Sequence, residues 1–120
     1  MSDRPERVRV GPFVFNIVWS QQRLMEFCRS DGQDRFGQTH LDTHVIYIDD
    51  SRPLVALQNT LVHELLHCLN WAYNIPTPMS EGEDAEEQFV CRMDTPLLLL
   101  LKENPEVFEW LQLKSEDTDA

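Results

Sequence analysis

TLVHELLHCLN, Thr60 to Asn70, decides how this chain is read. It sets His63 and His67 four residues apart with Glu64 beside the first, inside an apolar run. Either the run is a core helix whose histidines are satisfied by neighbours, or the histidines hold a metal ion. Residues four apart on an α-helix project from one face about one turn apart, so both imidazoles can reach one ion. Glu64 points roughly 100° around the helix from His63, where it can meet a water at the ion without ligating it. With four His and eleven Glu in the chain, H-E-x-x-H arises by chance in about one such sequence in a hundred. The pattern has meaning only on a helix, and the flanking periodicity predicts one.

Leu54, Leu57, Leu61, Leu65 and Ala72 form one stripe, which Val55, Val62, Leu66 and Leu69 widen into a largely buried helix. Asp49, Asp50 and Ser51 ahead of Pro53 fit a helix start with a capping side chain. The prolines and polar residues of IPTPMSEGED end the helix near Asn74. Upstream, QTHL and HVIYID, separated by Asp42 and Thr43, predict a hairpin. Val8 to Trp19 alternates as a strand whose phase shifts at Gly11 and Pro12, as at a bulge or edge. A short helix over Gln21–Cys28 and a loop over Ser30–Gly37 fill the interval.

Downstream, Asp84 can cap a second helix with Glu87 in the capping-box position, and Phe89, Val90, Met93, Leu97 and Leu101 give it an apolar face. Pro96 kinks or interrupts it. A terminal helix, EVFEWLQL, follows Asn104 and Pro105, with Phe108 and Trp110 in the core. The expectation is one domain over residues 1–114 and a flexible acidic tail over 115–120.

The formal net charge of −11 repels phosphate backbones, which argues against nucleic acid as a partner and against a nuclease. Cys28, Cys68 and Cys91 are odd in number and lack CxxC pairing, as expected of free thiols in a reducing, cytoplasmic setting. The first fifteen residues carry charges where a signal peptide needs an apolar run, and Leu97–Leu101 is too short to span a bilayer. No membrane association is expected.

Two imidazoles and one or two oxygen ligands suit Zn2+ with an open position for water. A metzincin places glycine and histidine three and six residues after the second histidine, where this chain has Asn70 and Tyr73. Cys28 lacks the glycine-rich context of a thiolate ligand and reads as a structural thiol. Carboxylates on the second helix remain. Glu86 falls between Val90, Met93 and Leu97 on a helical wheel, and Glu87, rotated toward Cys91 and Asp94, is the alternative. The plain reading of both is a solvated acidic helix start, favoured there by the dipole. His40 and His44 read as surface or strand histidines, and Tyr47, Tyr73 and Arg92 as possible transition-state donors.

TLVHELLH after a strand ending VIYID, then SEGEDAEEQFV, then LLLLLKENPEVFEWL, resembles the small zincin-like metallopeptidases of bacteriophages and prophages. The resemblance covers roughly residues 36 to 112, and HExxH is its most specific element. It implies an α+β minimal zincin fold: a short antiparallel sheet packed on the HExxH helix, with a second, ligand-bearing helix beside it. His63 and His67 would be zinc ligands, Glu64 the general base, and Glu86 or Glu87 a gluzincin-like third ligand. Asp94, Thr95 and Pro96 depart from the family's smoother helix, and Cys68 stands where a small residue is common. The expected activity is zinc-dependent hydrolysis of a peptide or protein substrate in the cytoplasm, that of the host cell if the chain is phage-encoded. An edge strand of the hairpin would hold the substrate, with the Ile75–Asp84 loop bordering the cleft. The alternative is a catalytically silent zinc-binding accessory protein.

Overall fold

The alternating and helical stretches of the chain become two layers. The computed structural model describes residues 3–29, 36–75 and 83–115, with side chains from residue 87 onward in the last segment. In chain order the elements are β1 (Arg7–Val10), β2 (Phe13–Trp19), α1 (Gln21–Phe27), β3 (Gly37–His40), β4 (Val45–Ile48), α2 (Leu54–Ala72), α3 (Glu83–Glu103) and α4 (Pro105–Leu111). The result is a small α+β arrangement of a four-stranded sheet and four helices among the described residues.

The sheet order is β1-β2-β4-β3, with β2 and β4 parallel and the two outer pairs antiparallel. This corrects the expected antiparallel sheet: the β3/β4 hairpin does form, but β4 lies parallel beside β2 after a crossover through α1. Such a pairing joins strands distant in sequence and leaves no local trace. The expected bulge at Gly11 and Pro12 is instead a tight turn that splits one strand into β1 and β2. Gly11 sits there at φ +60°, where a side chain would be strained and a Cβ would stand 3.3 Å from the Tyr73 hydroxyl.

One face of the sheet and one stripe of α2 make the core. Val8, Val10, Phe15, Ile17, Ile46 and Ile48 meet Leu57, Leu61, Leu65, Cys68 and Leu69, and Leu100, Val107 and Trp110 close the end. Val55, Val62 and Leu66, expected to widen the buried stripe, are exposed, so α2 is buried on one face only. Its N-cap is Pro53 with no side-chain cap. Asp49 instead accepts from the backbone N–H and hydroxyl of Ser51, and Asp50 from the Gln21 N–H. Pro96 lies inside an uninterrupted α3. The buried residues there are Pro96 and Leu100, while Phe89, Val90 and Leu97 remain substantially exposed. Among the described residues no helix is long and apolar enough to cross a membrane.

The register of the outer strands fixes which peptide groups face away from the sheet. Ile17 N–H donates to Glu6 O, and Asp49 N–H to Phe36 O, each at 2.8 Å. Residues of an antiparallel strand alternate between bonding their neighbour and turning away. Arg7 and Arg9 of β1, and Gly37 and Thr39 of β3, therefore direct their N–H and C=O groups outward. At Arg9 both groups are taken by one side chain: its N–H donates to Asn104 Oδ1 and its carbonyl accepts from Asn104 Nδ2, both at 2.7 Å. Asn104 is buried between α3 and α4 and also donates to Leu100 O, so it acts as a one-residue strand along β1.

Candidate metal centre and cleft

His63 and His67 lie in the middle of α2 on its solvent side, one turn apart, as the helical spacing predicts. Their Nε2 atoms are 3.3 Å apart and their rings are inclined at 76°. Two nitrogens bound to a tetrahedral zinc at ordinary Zn–N lengths stand about 3.3 Å apart. The same distance is long for a hydrogen bond from an N–H donor. The imidazoles thus converge as two corners of a tetrahedral site, and the residues present fit zinc at those two positions.

Glu64 occupies a different environment. It is 5% exposed, and its Oε1 accepts a hydrogen bond of 2.7 Å from the Thr39 hydroxyl of β3. The 100° step around the helix turns it under the edge strand. The strand comes this close because residue 37 is glycine. A Cβ there would stand 2.6 Å from Thr60 Cγ2 and 3.4 Å from Glu64 Cγ. Cys68, one turn beyond Glu64, is fully buried. Burial, and then the neighbouring Glu64 carboxylate, push its thiol up to about 12, while Thr39 acts weakly in the opposite sense. Cys68 is a closed, protonated packing residue.

The histidines and Glu64 open into a cleft of about 680 Å³. Phe36, Gly37, Gln38, Thr39 and Leu41 form one wall; Asn59, Thr60, Asn70 and Trp71 of α2 extend the floor; Asn74 and Ile75 close one end. Among the described residues Glu64 is the one carboxylate in this lining, which besides the two imidazoles offers amides, hydroxyls and apolar groups. Such a surface suits an extended chain read mainly through its backbone. Ile75 begins the loop expected to border the cleft, and residues 76–82 of that loop lie outside the described residues.

The expected third ligand, Glu86, has its side chain outside the described residues. Among the described residues no group of three His, Cys, Asp or Glu side chains converges as a metal site. Of the residues sharing the expected face of Glu86 only Met93 packs on the core. Glu87 is exposed, accepts from Cys91 Sγ at 3.3 Å and does not line the cleft. Tyr47 stacks on Phe27, Tyr73 packs at the Gly11 turn and Arg92 is exposed on α3, so none of the three reaches the cleft. His40 is a buried strand residue bonded to Gln38 at 2.7 Å, and His44 packs among Phe13, Phe15 and Trp71. Cys28, read as a structural thiol, accepts a hydrogen bond from the Gln38 side chain outside the cleft lining. Sequence reasoning missed Thr39 and Gly37, whose partners on α2 lie more than twenty residues away and leave no local signature.

Compared with protein families, with curated proteins and with solved structures, the chain matches none.

Proposed function

We propose that this chain is a zinc-dependent peptidase with a minimal zincin-like fold, of the kind found in small phage and prophage metallopeptidases. The observation that carries the reading is the 3.3 Å convergence of His63 Nε2 and His67 Nε2 beside a buried Glu64 under an open sheet edge. When bound, zinc supplies a Lewis acid and lowers the pKa of its water. His63 and His67, whose Nε2 atoms face each other, would hold the ion. Glu64 takes the proton of the attacking water at Oε2, since Thr39 occupies Oε1. The outward N–H and C=O groups of Gly37 and Thr39 pair with an extended peptide and lay its backbone along the cleft. The substrate is a peptide or protein segment; nucleic acid and membrane are not partners in this reading. Glu86 would complete the ligand set; Glu87, the alternative, is exposed beside Cys91 and does not line the cleft.

One other reading uses the same ligands, a zinc-binding accessory protein without turnover. The two are separated by loading the purified chain with zinc and presenting a peptide library. The peptidase reading expects about one zinc per chain, cleavage by the wild type, and retention of zinc with loss of at least about a hundredfold in rate for Glu64→Gln. Full zinc occupancy with no cleavage by the wild type would leave the accessory reading. Less than about half a zinc per chain after repletion would sink both.

A further inference from the structure

Among the described residues Thr39 is the one whose side chain hydrogen-bonds Glu64 and whose main chain faces the open edge. Its hydroxyl donates to Glu64 Oε1 at 2.7 Å, and by the register of β3 its peptide N–H and C=O point into the cleft. Its χ1 is stiff because its Cβ is branched, so a displacement of the backbone is passed to the hydroxyl instead of being absorbed by rotation. Glu64 has no second side-chain donor among the described residues. Gly37, two residues earlier on the same edge, is held against Thr60, which leaves β3 little room to shift toward α2.

We propose that Thr39 is the positioning residue of Glu64, and that pairing of an extended peptide with the Gly37–Thr39 edge sets the carboxylate through the Thr39 hydroxyl. The inference rests on the peptidase reading and adds to it a mechanical link between substrate length and the general base. A short peptide that reaches the scissile position but not the edge finds Glu64 less well fixed. A longer one, pairing with both outward peptide groups, holds Thr39 and hence Oε1, leaving Oε2 aimed at the attacking water. Binding energy from groups remote from the reacting bond is then realised as rate.

The test uses zinc-loaded full-length protein and a length series built on the library peptide that is cut fastest. In the wild type, kcat rises with length. In Thr39→Val, which keeps the shape and removes the hydroxyl, kcat on the longest peptide falls about tenfold at unchanged KM, and the dependence on length disappears. Thr39→Ser, which keeps the hydroxyl and loses the branch, restores most of kcat and less of the dependence on length. Zinc per chain stays the same in all three. Independently of turnover, the same peptide bound to Glu64→Gln protects the Gly37 and Thr39 amides from hydrogen exchange. Should Thr39→Val fail to fold, Thr39→Ala removes the same hydroxyl and gives the same comparison. A kcat within twofold of wild type in the hydroxyl-free variant, an equal loss at every length, or no amide protection overturns the proposal and leaves the peptidase reading standing. A fully zinc-loaded wild type that cleaves nothing overturns both.

Discussion

At the β1 edge the outward N–H and C=O of Arg9 are both taken by the side-chain amide of Asn104; at the β3 edge the equivalent groups of Gly37 and Thr39 meet no partner among the described residues. An unpaired strand edge invites another chain to add to it, and proteins ordinarily blunt or cover it. Here the β1 edge is capped at Arg9 by a buried asparagine at the break between α3 and α4, while the outward groups of Arg7 have no partner among the described residues. The β3 edge has no such cap among the described residues where it runs beside His63, Glu64 and His67. The difference teaches that a single side chain can cap one peptide unit of an edge, and that the edge along the cleft carries no such cap among the described residues.

The comparison can be broken first at its closed side. Asn104→Leu removes three hydrogen bonds and leaves the Arg9 peptide groups unpaired. It should cost about 2–4 kcal/mol in urea unfolding and make the protein prone to self-association at β1. A loss below about 1 kcal/mol would show that the edge needs no seal. Next in size is the contact that holds the open edge over α2. Gly37→Ala places a Cβ against Thr60 Cγ2 and should cost about 1–3 kcal/mol. Thr60→Ser, which deletes that methyl, should recover at least half in the double variant, and equal losses in single and double variants would show that the contact is not the cause.

The smallest effect concerns pH and His40, on β3. Burial, and then the nearby Arg29 guanidinium, lower its pKa below the ordinary 6.5. The unfolded chain therefore binds a proton before the folded one does. The stabilisation is complete above pH 6.5 and is lost as pH falls toward the lowered folded value. His40→Gln should flatten this limb of the stability–pH curve. An unchanged slope would assign the limb to another group.

What was legible in the sequence was local. The spacing of His63 and His67, the Leu57–Leu61–Leu65 stripe and the β-branched run Val45–Ile48 depend on neighbours within a turn or two, and those elements formed where expected. Gly11 and Pro12 were ambiguous because a bulge and a tight turn use the same residue types, and only the partner strand distinguishes them. The parallel pairing of β2 with β4 and the bonds Thr39–Glu64 and Arg9–Asn104 join residues far apart in the chain, so no window of sequence contains both halves. The second helix misled for a different reason. Its apolar residues predict a packed face, yet α3 packs through Pro96 and Leu100 and leaves Phe89 and Val90 substantially exposed, so a helical wheel alone does not fix the direction of Glu86.

The seal at Arg9 also has a history in time. Its two halves are 95 residues apart, so during synthesis β1 emerges with its outer edge bare and stays so until Asn104 has been made. At about 5–20 residues per second, that interval is roughly 5–20 s. A nascent chain of this protein thus carries bare Arg9 peptide groups on β1, and the arrival of the α3–α4 junction caps them.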